Sequence, residues 1–469
     1  MPSKIIAVLC LLCFLPNNAY AASFDATTLS LGWGTPFIGI LLSIALLPLL
    51  LPTIWHNHYG KITAVWTLLF IIPFATAFGI SSTTTLVAHA IFEEYIPFIL
   101  LLLALFTVSG GIFIQGNFEG TPKFNVLLLI TGTLLASVMG TTGAAMLMIR
   151  PIIRANSNRP NKVHVIIFFI FLVANVGGGL TPLGDPPLFI GFLKGVNFFW
   201  TLSHMLLPVL LTTFLLLIIF YYIDSYYYKR QAKITHQHVT LAHTIKIYGK
   251  QNISLLVAII STVLLSGIWQ SDINLMLLDT NLALQNIIRD LLFIIITIIS
   301  VAITPKHVRL ANQFNWQPII EVAKLFIAIF ITIVPVLAIL RAGNDGHLSS
   351  IVSLVTNDKG EPINTMYFWL SGVLSGFLDN APTYLVFFNL ASGDANILMG
   401  ELHTTLLAIS MGSVFMGALT YIGNAPNFMV RSIAIQNDIN MPSFFGYMKW
   451  SISILIPVFL INTLIFFIL

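Results

Sequence analysis

The chain has 469 residues, of which 57% are hydrophobic and 8% charged, with a formal charge of +4. A soluble domain carries roughly 25% charged residues, so this composition excludes a soluble globular protein and indicates an integral membrane one. The small, dispersed positive charge argues against a nucleic-acid partner.

At the N-terminus, Lys4, the apolar run Ile5 to Leu15 and the small-residue site Ala19-Tyr20-Ala21 read as a secretory signal peptide over residues 1–21. An uncleaved anchor is the alternative. Cleavage predicts a periplasmic mature N-terminus and a bacterial inner-membrane location. Both cysteines, Cys10 and Cys13, lie in this segment, so the mature chain would hold no disulfide, thiolate metal site or cysteine nucleophile.

The apolar runs that follow are continuous and about 18–24 residues long, the length of a bilayer-spanning helix rather than of β-barrel strands. Ten spans are predicted near 34–54, 62–80, 95–115, 163–198, 202–223, 252–269, 286–304, 318–340, 404–436 and 446–469. Basic residues collect at His56 to Lys61, at Arg150, Arg154, Arg159 and Lys162, at Lys229 to Lys250, and at Lys306 and Arg309. All fall on one side if the mature N-terminus is outside, as the positive-inside rule requires. The opposite loops carry Glu93, Glu94, Asp272, Asp279, Asp358 and Glu361. Glu93 and Glu94 read as a solvated interfacial face.

Two apolar stretches, 125–151 and 366–392, are too short to cross twice, which takes about 40 residues. A single crossing at 125–151 would strand Arg150, Arg154 and Arg159 outside. Re-entrant hairpins are expected, with tips at Met139-Gly140-Thr141-Thr142-Gly143 and Leu378-Asp379-Asn380-Ala381-Pro382-Thr383. Long kinked helices are the alternative.

Two spans contain the same breaking pattern, "LTPLGDPP" at 180–187 and "LTYIGNAP" at 419–426. Gly177, Gly178, Gly179, Pro182, Gly184, Pro186 and Pro187 must unwind the first, and Gly423 and Pro426 the second, because proline removes a donor and glycine releases the helix. One shift of 239 positions superposes Leu180 on Leu419 and also Thr141 on Asn380. The fold expected is therefore all-α, with about ten transmembrane helices, two re-entrant hairpins and inverted-topology repeats with two broken helices. Residues 22–89 form N-terminal spans, 90–223 the first repeat, 224–317 a linker loop with scaffold spans, and 318–469 the second repeat.

Irregular backbone survives in hydrocarbon only inside protein or beside a watery cavity, and half-helix ends there suit ions. A mid-membrane carboxylate is a functional candidate by default. Asp185 and Asp379 are the candidate sodium ligands, although either can instead cap a half-helix. Thr141, Thr142, Thr181, Asn380, Thr383, Thr420, Asn424 and Asn427 supply neutral oxygens suited to a hard cation. Arg431 reads as an anchor on the basic side. His236, His238 and His243 lack metal-site spacing. Ser109-Gly110-Gly111 reads as a close-packing site.

The stretches "ANVGGGLTPLGDPPLFIG" and "GFLDNAPTYLVFF" resemble the ion transporter superfamily of arsenite permeases, NhaD-type sodium/proton antiporters and citrate/dicarboxylate carriers. Over about residues 90–469 the chain is most similar to the bacterial branch labelled sodium/proton antiporter or citrate transporter. The resemblance implies sodium and substrate bound at hairpin tips and unwound helices, and a homodimer. It departs from the dicarboxylate carriers, which place Ser-Asn-Thr at both tips where this chain has Gly-Thr-Thr-Gly and Asp-Asn-Ala-Pro-Thr.

The function expected is sodium/proton antiport, with Na+ and H+ as transported ions, membrane lipid as surroundings and no other cofactor. Coupled uptake of citrate or another small carboxylate is the alternative, and arsenite-type export a third. A protease is not expected. Pro182-Leu183-Gly184-Asp185 misses the Gly-x-Gly-Asp motif of intramembrane aspartyl proteases, and Asp224, in "YYIDSYY", follows isoleucine rather than tyrosine.

Overall fold

The computed structural model describes residues 29–116, 119–231, 246–269, 271–341 and 349–469. The expected signal peptide and His236, His238 and His243 lie outside them.

Helices α1 (Thr35–Leu50) and α2 (Pro52–Phe78) come first, each with proline in its opening turn, where the missing N–H costs nothing. Gly79, at φ 87°, ends α2 and lets α3 (Ile80–Ser109) turn away. A π turn at Ala90–Tyr95 interrupts α3. The chain then forms strand β1 (Phe113–Gln115), hairpin arms α4 (Pro122–Met139) and α5 (Thr141–Ala155), and helix α6 (Val163–Leu172). After the first break, a short α7 (Pro186–Leu193) leads into the long α8 (Phe198–Gln231). Strand β2 (Lys246–Tyr248), α9 (Gln251–Ile268), the hairpin β3 (Asn274–Leu277) with β4 (Thr280–Ala283), α10 (Leu284–Ile303) and α11 (Lys306–Ala311) link the two halves.

The second half holds α12 (Gln317–Arg341), α13 (Ser349–Val355), hairpin arms α14 (Asn364–Phe377) and α15 (Asn380–Ala391), α16 (Ala395–Met399), α17 (His403–Phe415), α18 (Ala425–Gln436) and α19 (Phe444–Thr463). This is an all-α membrane architecture. Among the described residues ten helices are long and apolar enough to cross a membrane. The strands form only two antiparallel pairs, β1 with β2 and β3 with β4.

These ten differ in part from the ten expected. The span expected at 62–80 begins at Pro52, because the polar stretch His56 to Lys61 is the outer part of α2 rather than a loop. The span expected at 95–115 occupies Ile80–Ser109. The chain leaves that helix at Gly110, where a side chain would run into the Phe314 ring, and pairs as β1 with β2. Hairpin arm Pro122–Met139 is itself long enough to qualify, whereas the segment expected at 404–436 is divided by its break into two shorter helices.

The two halves pack alike. In each, the hairpin arms lie against each other, α4 on α5 and α14 on α15, and the first arm packs on the 3-10 turn of its own break. The second arm of each half packs on the half-helix of the other: α15 on α7, and α5 on α18. Around this centre α1 and α2 pack on α12, while α9 and α10 pack on α3. The middle of the molecule is therefore closely packed. Val165 to Ala174, entering the first break, are all buried, and large side chains face outward on the peripheral helices, as lipid contact allows.

Candidate functional site

Both breaks have the same construction. Helix α6 ends at Leu172, and a 3-10 turn at Val176–Leu180 leads to extended Thr181 (φ −139°, ψ 158°) and extended Asp185 (φ −144°, ψ 144°). Helix α17 ends at Phe415, and a 3-10 turn at Met416–Leu419 leads to Thr420 (φ −133°, ψ 170°) and Asn424 (φ −152°, ψ 138°). Pro186 and Pro426 open the half-helices that follow. In each break the chain crosses itself at two glycines: a Cβ on Gly184 would strike the Gly178 carbonyl, and one on Gly423 the Gly417 carbonyl.

Threonine hydroxyls tie each break to its hairpin. Thr181 Oγ1 donates to the Ser137 carbonyl and Thr420 Oγ1 to the Gly376 carbonyl, 2.5 Å in both. The same two oxygens then accept from backbone N–H groups two residues on, Leu183 at 3.2 Å and Ile422 at 3.1 Å. Thr181 and Thr420 thus serve the backbone rather than pointing free oxygens inward. Ser137 Oγ adds a bond to the Gly177 carbonyl, at the start of the glycine run.

The first hairpin turns at Gly140, whose φ of 79° suits glycine alone without strain. Beyond it the Thr141 N–H donates to the Gly184 carbonyl at 2.8 Å, seating the tip in the break. The second hairpin turns at Asp379 in extended backbone (φ 174°).

These elements converge on Asp185, which is 2% exposed. Its carboxylate accepts from Thr141 Oγ1 at 2.8 Å, from Asn424 Nδ2 at 3.1 Å and from Asn380 Nδ2. Both hairpin tips and both breaks each contribute one of these four side chains. No Lys, Arg or His makes a salt bridge with Asp185 among the described residues. A buried carboxylate held by neutral donors alone lacks a counter-charge, which a bound cation or a proton supplies. The first tip brings a hydroxyl, the second tip and second break bring amides, and all are hard oxygen-bearing groups.

An asparagine ladder extends from the acid. Asn424 Nδ2 also reaches the Ala174 carbonyl at 3.1 Å and Asn175 Oδ1 at 3.3 Å. Asn175 donates to Asn427 Oδ1 at 2.8 Å, and Asn427 donates to the Gly417 and Thr420 carbonyls at 2.8 and 2.9 Å. Loose carbonyls of the second break are thereby satisfied from within.

Asp379 is half-buried, and its side chain accepts the Ala381 N–H at 3.1 Å, so it caps α15. Thr383 Oγ1 donates to the Asp379 carbonyl at 2.7 Å. Asp379 neighbours Asn380 in the chain, the residue whose amide holds Asp185. Of the other candidate residues, Gly177, Gly178, Gly179, Gly184, Gly423, Pro186, Pro187 and Pro426 lie in or directly beyond the breaks. Thr142 is half-buried one residue past Thr141 and bonds to nothing in the cluster.

The family model described as "Putative citrate transport" matches residues 26–467. The chain belongs to this citrate transport family. It is a multi-pass membrane protein of a transporter family, and the match spans both helix pairs and both breaks. No curated protein sequence matches it.

Sequence reasoning missed Asn175, whose partners include the distant Asn424 and Asn427 side chains, and Ser137, which meets the Gly177 carbonyl. It also missed a second buried cluster. Asp224, fully buried, pairs with Arg159 and with His164 at 2.8 Å, and accepts from Asn125 at 2.9 Å. Arg159, one of the basic residues before the span expected at 163–198, is 7% exposed. Among the described residues Asp224 and Asp185 share no hydrogen-bond partner. Glu94 also departs from expectation. It is buried and pairs with Lys194, joining the π turn of α3 to the end of α7, while Glu93 pairs with His89 at 2.8 Å. The π turn swings Glu94 inward. Arg431 lies over the Tyr421 ring at 4.9 Å rather than free at the surface.

Proposed function

We propose that the chain is a secondary active transporter that exchanges sodium for protons by alternating access. Asp185 would be the carboxylate that the two ions occupy in turn, with Asp379 beside it. The observation that carries this reading is the shell of Asp185: buried, held by Thr141, Asn380 and Asn424, and without a basic partner among the described residues. Such a site attracts a small cation and repels a polyanion, because like charges at close range in low dielectric are costly. Sodium and a proton compete for the same oxygens, so one site suffices for exchange.

The proposal extends to membrane arrangement. The two repeats would insert with opposite orientation, the N-terminus of the mature chain on the periplasmic side of a bacterial inner membrane, as a homodimer. Matching hydrogen bonds at Thr181 and Thr420 support the repeat, and the basic residues flanking the hairpin 125–151 support the orientation.

A second reading, sodium- or proton-coupled uptake of citrate or a similar carboxylate, is favoured by the family's description. Here bound sodium would neutralise Asp185 and Asp379 before the anion docks. Proteoliposomes separate the two. Under exchange, an inward sodium gradient drives protons out and alkalinises the lumen with no carboxylate present. Under symport, sodium enters only together with citrate and moves no protons without it.

A further inference from the structure

Arg150 and Arg154 stand one turn apart on α5 and are close enough to repel each other. Arg154 donates to the Ile114 carbonyl at 2.6 Å and lies 5.1 Å from the Phe113 ring. Arg150 donates to Gln313 Oε1 at 3.2 Å. Among the described residues neither forms a salt bridge with an acid. Lys246, Lys250 and Lys306 are exposed on and beside the neighbouring strand and helices and add positive charge. Arg309 differs: its guanidinium is taken up by the Thr107 and Ser300 carbonyls at 3.1 and 3.0 Å, at two helix C-termini that suit a cation.

The cluster lies at the ends of the spanning helices. Asn252 Nδ2, in the first turn of α9, reaches the Gly111 carbonyl just past α3 at 3.0 Å and Thr304 Oγ1 just past α10 at 2.8 Å. Three helix ends therefore share one level, and β1 pairs with β2 beside them. Large apolar groups are left uncovered at that level. Leu310 on α11 is 75% exposed, and Trp316, edge-on to Phe314, is 39% exposed. A free, fully solvated anion would leave both in water. A lipid satisfies charge and apolar surface together, and aromatic residues favour that interfacial depth.

We propose that this rim binds the phosphate headgroup of an anionic phospholipid, with Arg150 and Arg154 as its ligands and Leu310 and Trp316 against its acyl chains. The guanidinium forks offer paired donors that match phosphate oxygens. The lipid bridges hairpin arm α5 to the loop after α11. Thr141, at the other end of α5, holds Asp185, so the lipid steadies the arm that carries part of the ion site.

The test uses the full chain purified in detergent. Native mass spectrometry counts lipid retained after addition of phosphatidylglycerol or phosphatidylcholine, and sodium phosphate is the soluble-anion control in a thermal-shift assay. Phosphatidylglycerol is expected to bind about 30-fold more tightly than phosphatidylcholine, the contribution of two basic side chains near an anionic headgroup, and to raise the unfolding temperature while phosphate does not. Arg150→Gln with Arg154→Gln should abolish the selectivity. Arg154→Gln alone, at an exposed position that leaves folding intact, should lower it severalfold. Equal retention of the two lipids, an equal thermal shift from phosphate, or undiminished selectivity in the folded Arg154→Gln variant would overturn the proposal. None of these readouts depends on which ion the protein moves.

Discussion

Asn424 Nδ2 donates to Asp185 Oδ1 at 3.1 Å, and these two residues stand 239 positions apart, at matching places in the two breaks. Matching positions of the two breaks are thus in contact, one acidic and one neutral. A charge placed at either position sits in the same small volume.

The first prediction follows from that contact. Asp185→Asn leaves three amides and a hydroxyl with no charge for a cation, and should weaken sodium binding roughly 10- to 150-fold through loss of charge-assisted interactions. Adding Asn424→Asp returns a carboxylate to the other side of the same hydrogen bond. Binding by the double variant should recover to within about tenfold of the parent, since the oxygen set is conserved. Isothermal titration with sodium checks both. A double variant no better than Asp185→Asn would show that only the first break can carry the charge.

Asp379 caps α15 and also sits beside the acid cluster, and one substitution separates the roles. Asparagine caps a helix as well as aspartate does, whereas alanine loses about 1 kcal/mol. Asp379→Asn should therefore keep the parent's unfolding temperature and lose sodium-driven transport. Full transport in Asp379→Asn, with loss only in Asp379→Ala, would reduce Asp379 to a cap.

The glycine crossings allow a stability prediction. A methyl at Gly184 or Gly423 meets a carbonyl of the same break, and such overpacking costs about 1–3 kcal/mol. Gly184→Ala and Gly423→Ala should each lower the unfolding temperature. Gly32→Ala, where the nearest atom is the Ser30 hydroxyl at 3.5 Å, should not. Equal behaviour of all three would contradict the close crossing.

Orientation is tested at Ser157 and Lys359, exposed positions outside the far ends of the two hairpins. With Cys10 and Cys13 replaced, Ser157→Cys should label only from the cytoplasmic side and Lys359→Cys only from the periplasmic side. Labelling of both from one side would contradict opposite insertion of the repeats.

The hairpins and breaks were readable in the sequence because glycine and proline impose their effects locally. The 239-residue shift was readable because both breaking motifs and both tips stand in register in the sequence. Asn175 and Ser137 were not, since an isolated amide or hydroxyl in an apolar run says nothing about which distant group it will meet. Glu94 was misread because a charged residue near a span end looks solvated until its partner, Lys194, is folded against it. The helix starts at Pro52 and Ile80 were missed for a related reason. Hydropathy marks where lipid contact begins, while a helix continues through polar turns such as His56 to Lys61 for as long as its backbone bonds are made.

The central claim is that Asp185 binds sodium and protons in competition, and sodium titration of the purified chain by calorimetry tests it most directly. The sign is fixed by chemistry: the carboxylate must be ionised to hold a cation, so protons displace sodium. Apparent sodium affinity should fall as pH is lowered, by up to about tenfold per pH unit where a single proton competes. Citrate should leave it unchanged, and Asp185→Asn should flatten the pH dependence. A sodium affinity insensitive to pH and strengthened by citrate would contradict exchange and, by the reciprocity of linked binding, establish coupled carboxylate uptake instead.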